Sequence, residues 1–144
     1  MNQDSEAVRQ LRRLLEKHVP DVVSGVVRIR GIARKVGVRS IVIVEAHDPA
    51  VDSVGAVVGS RGSRIKPLVA ELDNEKVDVV RWSDSLDHLI GNLIAPNRVL
   101  EIHYDESNRQ ARITLQPDQK ETSLLDPIRL ALASELVGWK LIVQ

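Results

Sequence analysis

The segment from Val51 to Leu72 constrains this chain more than any other. An apolar run, Val54-Gly55-Ala56-Val57-Val58, leads into Gly59-Ser60-Arg61-Gly62. Apolar residues then recur at helix spacing at Ile65, Leu68, Val69 and Leu72. Glycines in a Gly-x-x-Gly pattern between two such segments call for a tight turn between packed elements. Glycine tolerates a positive φ and lets a backbone come close to a ligand, because no Cβ intervenes. The free N–H groups of a following helix would point at an anion. The tip of the turn carries Arg61. The dinucleotide fingerprint Gly-x-Gly-x-x-Gly and the P-loop Gly-Lys-Ser/Thr are both absent, so the turn belongs to neither class.

Composition narrows the alternatives. The chain has 144 residues, 43% of them hydrophobic, which is enough for a real core and argues against disorder. Phe is absent, Tyr104 is the only tyrosine, and Trp82 and Trp139 are the only tryptophans. Readers that stack bases on aromatic platforms are therefore unlike this chain. No cysteine is present, which excludes zinc fingers, thiol catalysis and disulfides. No apolar run reaches membrane-spanning length, and Met1-Asn2-Gln3-Asp4 has no signal-peptide character. A cytoplasmic protein with no membrane partner is the expectation.

Formal net charge is zero, but the charges are unevenly spread. Between Val22 and Val44 the charged residues are Arg28, Arg30, Arg34, Lys35 and Arg39, with no acid among them. Arg61, Arg64 and Lys66 form a second basic group, and acids dominate from Glu71 to Glu106. A locally basic surface binds phosphate while an acidic remainder suppresses indiscriminate association. The competing explanation is that these charges only solvate strand and helix faces.

Periodicity places the elements. A helix is expected over Glu6–His18, with Val8, Leu11, Leu14 and Leu15 on one side and Asp4 or Ser5 as N-cap. Strands follow at Val26–Arg34 and Ser40–Ala46, with Gly37 in the turn between them. Val54–Val58 reads as a short helix capped by Asp52, and Ser63–Leu72 as a longer one that Ser63 could cap. A strand is expected at Val77–Trp82. A second unit repeats the order: a helix around Leu86–Leu93, strands at Val99–Tyr104 and Ala111–Leu115, a helix at Leu130–Val137 and a strand at Lys140–Val143. The unit boundary falls near Ser83–Leu86. Trp82 and Trp139 read as packing residues.

The glycine spacing is that of the KH loop, which clamps a short single-stranded nucleic acid. The sequence Asp48-Pro49-x-Val51-Asp52-x-Val54-Gly55-Ala56-x-Val58-Gly59-x-x-Gly62-Ser63-Arg64-Ile65 resembles the first KH motif of the NusA family. Glu71-Leu72, Glu75-Lys76-x-Asp78-x-Val80 and Trp82-Ser83 continue the likeness. Pro96, Val99 and Gly138-Trp139-Lys140 resemble the second KH domain. The resemblance implies an α+β fold of two tandem type II (prokaryotic) KH domains, each a three-stranded sheet packed by helices. The first would span residues 1–83 and the second 84–144. It implies single-stranded RNA as partner, RNA polymerase or other transcription factors as further partners, and a role in transcription elongation, termination or antitermination.

Two departures from the family pattern stand out. The chain begins almost at the KH pair, as short archaeal NusA-like proteins do, so polymerase contact through a preceding domain is not expected. The second KH domain should carry its own Gly-x-x-Gly before Arg129, yet Lys120-Glu121-Thr122-Ser123-Leu124-Leu125-Asp126-Pro127-Ile128 has no glycine. Asp126 reads instead as an N-cap with Pro127 at the first helical position. That domain is expected to keep the fold without the phosphate cradle.

The expected RNA site is therefore Gly59, Ser60, Arg61, Gly62, Ser63 and Arg64, with Val57, Val58 and Ile65 as an apolar floor. Arg28 and Arg30 read as a solvated strand face. His47-Asp48 and Asp84-x-x-Asp87-His88 come with no catalytic or metal motif, so no enzyme, metal or cofactor is expected. The rival from another class is a diverged KH pair that serves as a protein-interaction module of the transcription machinery and binds little RNA.

Overall fold

The computed structural model describes residues 3, 5–117 and 125–144. The alternative cap Asp4 and the segment Lys120–Leu124 of the glycine-free stretch lie outside them. The fold is α+β. It comprises two compact units, Met1–Trp82 and Ser83–Gln144, each built around a three-stranded sheet.

In the first unit, α1 spans Glu6–His18 and Ser5 caps it, its hydroxyl accepting from the Val8 amide. Val8, Leu11 and Leu15 face the core, and Leu14 packs at its edge. Pro20 stops α1 and opens a single turn, α2 (Pro20–Val23), at the position where its missing N–H costs nothing. Strand β1 (Val27–Lys35) pairs antiparallel with β2 (Arg39–Ala46), and a bulge interrupts the ladder between Ile29 and Gly31. Asp52 caps α3 (Ser53–Val58); a 3-10 turn follows at Ser60–Gly62, then α4 (Ile65–Glu71) and β3 (Lys76–Arg81). β3 lies parallel to β2, so the sheet order is β1-β2-β3. The core joins Leu11 and Leu15 of α1, Val57 of α3 and Leu68 of α4 to Val27, Ile32, Val42 and Val44 of the sheet. Truncating one such leucine to alanine costs about 2–5 kcal/mol.

The second unit repeats this arrangement. It runs α5 (Leu86–Ile94), β4 (Val99–Asp105), β5 (Gln110–Leu115), α6 (Pro127–Val137) and β6 (Lys140–Val143). Its sheet order is β4-β5-β6, again antiparallel then parallel, with a bulge in the first strand. Asp126 caps α6 with Pro127 at its first position, and Gly138 ends it in the left-handed conformation at φ 73°. Trp139 is buried, with its ring edge-on to Tyr104 at 5.1 Å and Arg109 4.1 Å above it. Trp82 is only half-buried, under the Arg30 guanidinium at 4.0 Å.

The helix expected from Ser63 begins instead at Ile65. Pro67 is the cause. A start at Ser63 would ask Pro67 for a helical hydrogen bond that it has no N–H to make. Starting at Ile65 keeps Pro67 in the first turn, where donors are unpaired in any case. Ser63 therefore caps nothing in α4, and its amide closes the 3-10 turn on the Ser60 carbonyl.

Candidate nucleic-acid interface

The loop between α3 and α4 is held by its own backbone. The amide of Gly59 donates to Gly55, that of Gly62 to Gly59, that of Ser63 to Ser60 and that of Arg64 to Val58, at 2.8–3.1 Å. Among the described residues, no hydrogen bond takes up the amides of Ser60 and Arg61. Gly59 sits at φ 78°, ψ 164°, a region open essentially to glycine alone. A Cβ there would stand 2.6 Å from the Ser63 hydroxyl and 2.8 Å from the Arg64 amide. Gly62 also has positive φ, 77°, but its added Cβ would meet the flexible Lys66 chain. Arg61 itself is left-handed at φ 55°, uncommon for a side chain of its kind. This conformation lifts an exposed Arg61 onto the tip of the turn.

The structure distributes the expected site residues unequally. Ser60, Arg61 and Ser63 are exposed, and Gly62 is buried beneath the Lys66 stem. Val58 and Ile65 are half-buried at the surface of the two helices. Val57 is not a floor residue: it is fully buried in the core against the sheet, so its side chain is closed to any ligand. Arg64 turns away from the tip. Its Nη1 donates to the Ala56 carbonyl at 2.6 Å and lies 3.6 Å from the Asp21 carboxylate of α2. It braces the loop on both sides.

Lys66 takes the place that Arg64 leaves. It is exposed, in the first turn of α4, and has no ion-pair partner among the described residues. A cation at the positive end of a helix is unfavourable for the helix, so Lys66 and Arg61 together make the loop strongly electropositive. The Gly62-to-Lys66 spacing, one helical turn, was the available signal.

The wider basic surface is smaller than its sequence implies. Arg30 pairs with Glu45 at 3.0 Å, and Arg39 with Asp78 at 3.3 Å. Arg34 is buried. Its guanidinium grips Glu75 at 2.9–3.1 Å and also donates to the Ala7 carbonyl and Gln10, while Glu75 accepts from the Gly37 amide. The partner acids come from distant sequence, which a local charge count misses. Asp52 caps α3 through the Gly55 amide and pairs with Arg81. The Gly55 amide first, then Arg81, hold its carboxyl below the usual carboxylate range.

No group of acids, histidines or cysteines among the described residues could hold a metal ion. Among them, too, no helix is long and apolar enough to cross a membrane.

A family model described as NusA-like first KH domain matches residues 5–82. The transcription termination/antitermination protein NusA of Halalkalibacterium halodurans is 36% identical over 135 residues, 93% of this chain and 35% of that protein. The NusA proteins of Thermus thermophilus and Bacillus subtilis are 38% and 34% identical, over 90% and 93% of this chain. The chain thus spans about a third of the length of these relatives. The crystal structure of a protein named APE1850 superposes with a TM-score of 0.68 at 21% identity, covering 92% of this chain and 96% of that one. At that identity the likeness speaks for the fold.

Proposed function

The chain belongs to the NusA-like KH family, and on that premise we propose that its first unit binds single-stranded RNA through the Gly59–Gly62 loop. One observation carries the proposal. The loop offers two uncommitted amides, Ser60 and Arg61, on a backbone fixed by four internal hydrogen bonds, beside the cations Arg61 and Lys66. That is a preorganised receptor for one or two phosphates, with little ordering left to pay for on binding. The neighbouring bases would rest on Val58 and Ile65. Arg64 contributes by holding the loop. The biological role is that named for the relatives, transcription termination or antitermination. RNA polymerase or another transcription factor is the expected protein partner. No catalytic step is proposed.

The test is a titration of isotope-labelled protein with a short unstructured RNA, followed by amide NMR. The Ser60 and Arg61 amides should shift first and furthest. Shifts confined to other surfaces would refute the site. A second reading, a protein-docking module, draws on Val36 and Val38, which stand 61% and 42% exposed at the β1–β2 turn. It expects a protein partner to perturb that turn while RNA leaves the loop untouched.

A further inference from the structure

In the first unit seven of the ten arginines have an acid. Arg9 and Arg13 reach Glu6, Arg30 reaches Glu45, Arg34 reaches Glu75, Arg39 reaches Asp78, Arg64 reaches Asp21 and Arg81 reaches Asp52. Arg12, Arg28 and Arg61 have no such partner among the described residues. Arg61 is the loop tip. Arg12 and Arg28, from α1 and β1, line one open groove of about 300 Å³. Its apolar lining is Val22, Val27 and Ile29, and Glu16 is the one acid among the described residues that line it. Loop tip aside, the two arginines of this unit without an acid thus line one and the same groove, together with apolar residues.

We propose that the Arg12–Arg28 groove is a second contact site for the RNA phosphate backbone. The inference rests on the RNA reading above. One helix, α2, borders both groove and loop: its Asp21 lies 3.6 Å from Arg64 at the loop base, and the next residue, Val22, lines the groove. An RNA longer than the loop's own footprint could therefore engage both. Each guanidinium presents a planar fork that matches phosphate oxygens in pairs. The two positive charges outweigh Glu16 and leave the groove net cationic. The apolar lining suits the face of a ribose or base.

The experiment compares an unstructured oligonucleotide of about four nucleotides, the length one such loop clamps, with one of about twelve. Wild type, Arg12→Gln/Arg28→Gln and Arg61→Gln are titrated at several salt concentrations. The double variant should bind the short RNA as wild type does. It should bind the long RNA roughly tenfold more weakly at low salt, with a log K against log salt slope flatter by about 1.4, from two lost phosphate contacts. A thermal melt matching wild type shows that the fold is intact. Unchanged affinity and slope on the long RNA would overturn the proposal, as would a polyglutamate probe that needs the two arginines when RNA does not. Arg61→Gln reports separately on the loop. If it leaves the short RNA unaffected while the double variant still weakens the long one, the loop reading fails and the groove stands.

Discussion

The Arg64 guanidinium donates to the carbonyl oxygen of Ala56 at 2.6 Å, tying the second residue after the Gly-x-x-Gly loop back to the helix before it. The bond takes one of the orphan carbonyls at the α3 C-terminus, where a cation also suits the helix dipole. With Asp21 on its other side, Arg64 is a brace whose charge is already half spent.

Arg64→Gln should therefore loosen the loop without removing a phosphate contact. Amide hydrogen exchange at Gly62 and Ser63 should rise. RNA affinity should fall while the salt slope stays near the wild-type value. Arg61→Gln should do the reverse, flattening the slope by about 0.7 with unchanged exchange. A slope loss in Arg64→Gln equal to that in Arg61→Gln would make Arg64 a phosphate ligand after all.

The two loop glycines should not be equivalent. Gly59→Ala forces a Cβ against the Arg64 backbone amide in a region closed to alanine. Gly62→Ala meets only the Lys66 chain, which can swing aside, and pays for positive φ alone. The second should lose about 1–2 kcal/mol and the first distinctly more. Urea denaturation of the two variants checks the order, and equal losses would contradict the geometry.

Glu75 is fully buried and Arg34 nearly so, which makes their pair costly to break. Glu75→Ala leaves an uncompensated guanidinium and should destabilise the protein by about 3–5 kcal/mol. Arg34→Met/Glu75→Leu removes both charges and should recover most of that loss. Chemical denaturation of the single and double variants measures the difference. A double variant as unstable as Glu75→Ala would mean that the bonds to Ala7, Gln10 and Gly37 carry the stability instead.

The Asp52 carboxyl has a lowered pKa in the fold, chiefly through the Gly55 amide. A depressed folded value stabilises above the ordinary carboxylate range, and that gain is lost as pH falls through the folded value. The Gly55 amide resonance should accordingly titrate with a midpoint below the ordinary range of an aspartate, and Asp52→Ser should abolish the transition. A Gly55 resonance that is pH-independent in wild type would refute the cap.

Much of this was legible in the sequence, because apolar spacing decides which faces are buried. Glu6–His18 and Lys140–Val143 emerge with the bounds that periodicity gives. Asp52, Asp126 and Gly138 act at the helix ends as their chemistry requires. What was not legible depends on contacts between distant residues. Nothing near Arg34 announces Glu75, and nothing near Arg64 announces Asp21. Val57 reads as a surface residue from sequence because a short apolar helix shows no clear polar face. The late start of α4, expected from Ser63, had a local signal in Pro67, at a position where its missing donor is decisive.

On the proposed reading, the Gly59–Gly62 loop receives RNA phosphate. Fluorescence anisotropy with a short unstructured RNA, at two salt concentrations, tests it on wild type beside Gly62→Asp. Wild-type binding should weaken with salt and collapse when a carboxylate enters the loop. Equal binding by a folded Gly62→Asp protein, or none by wild type at low salt, would contradict it.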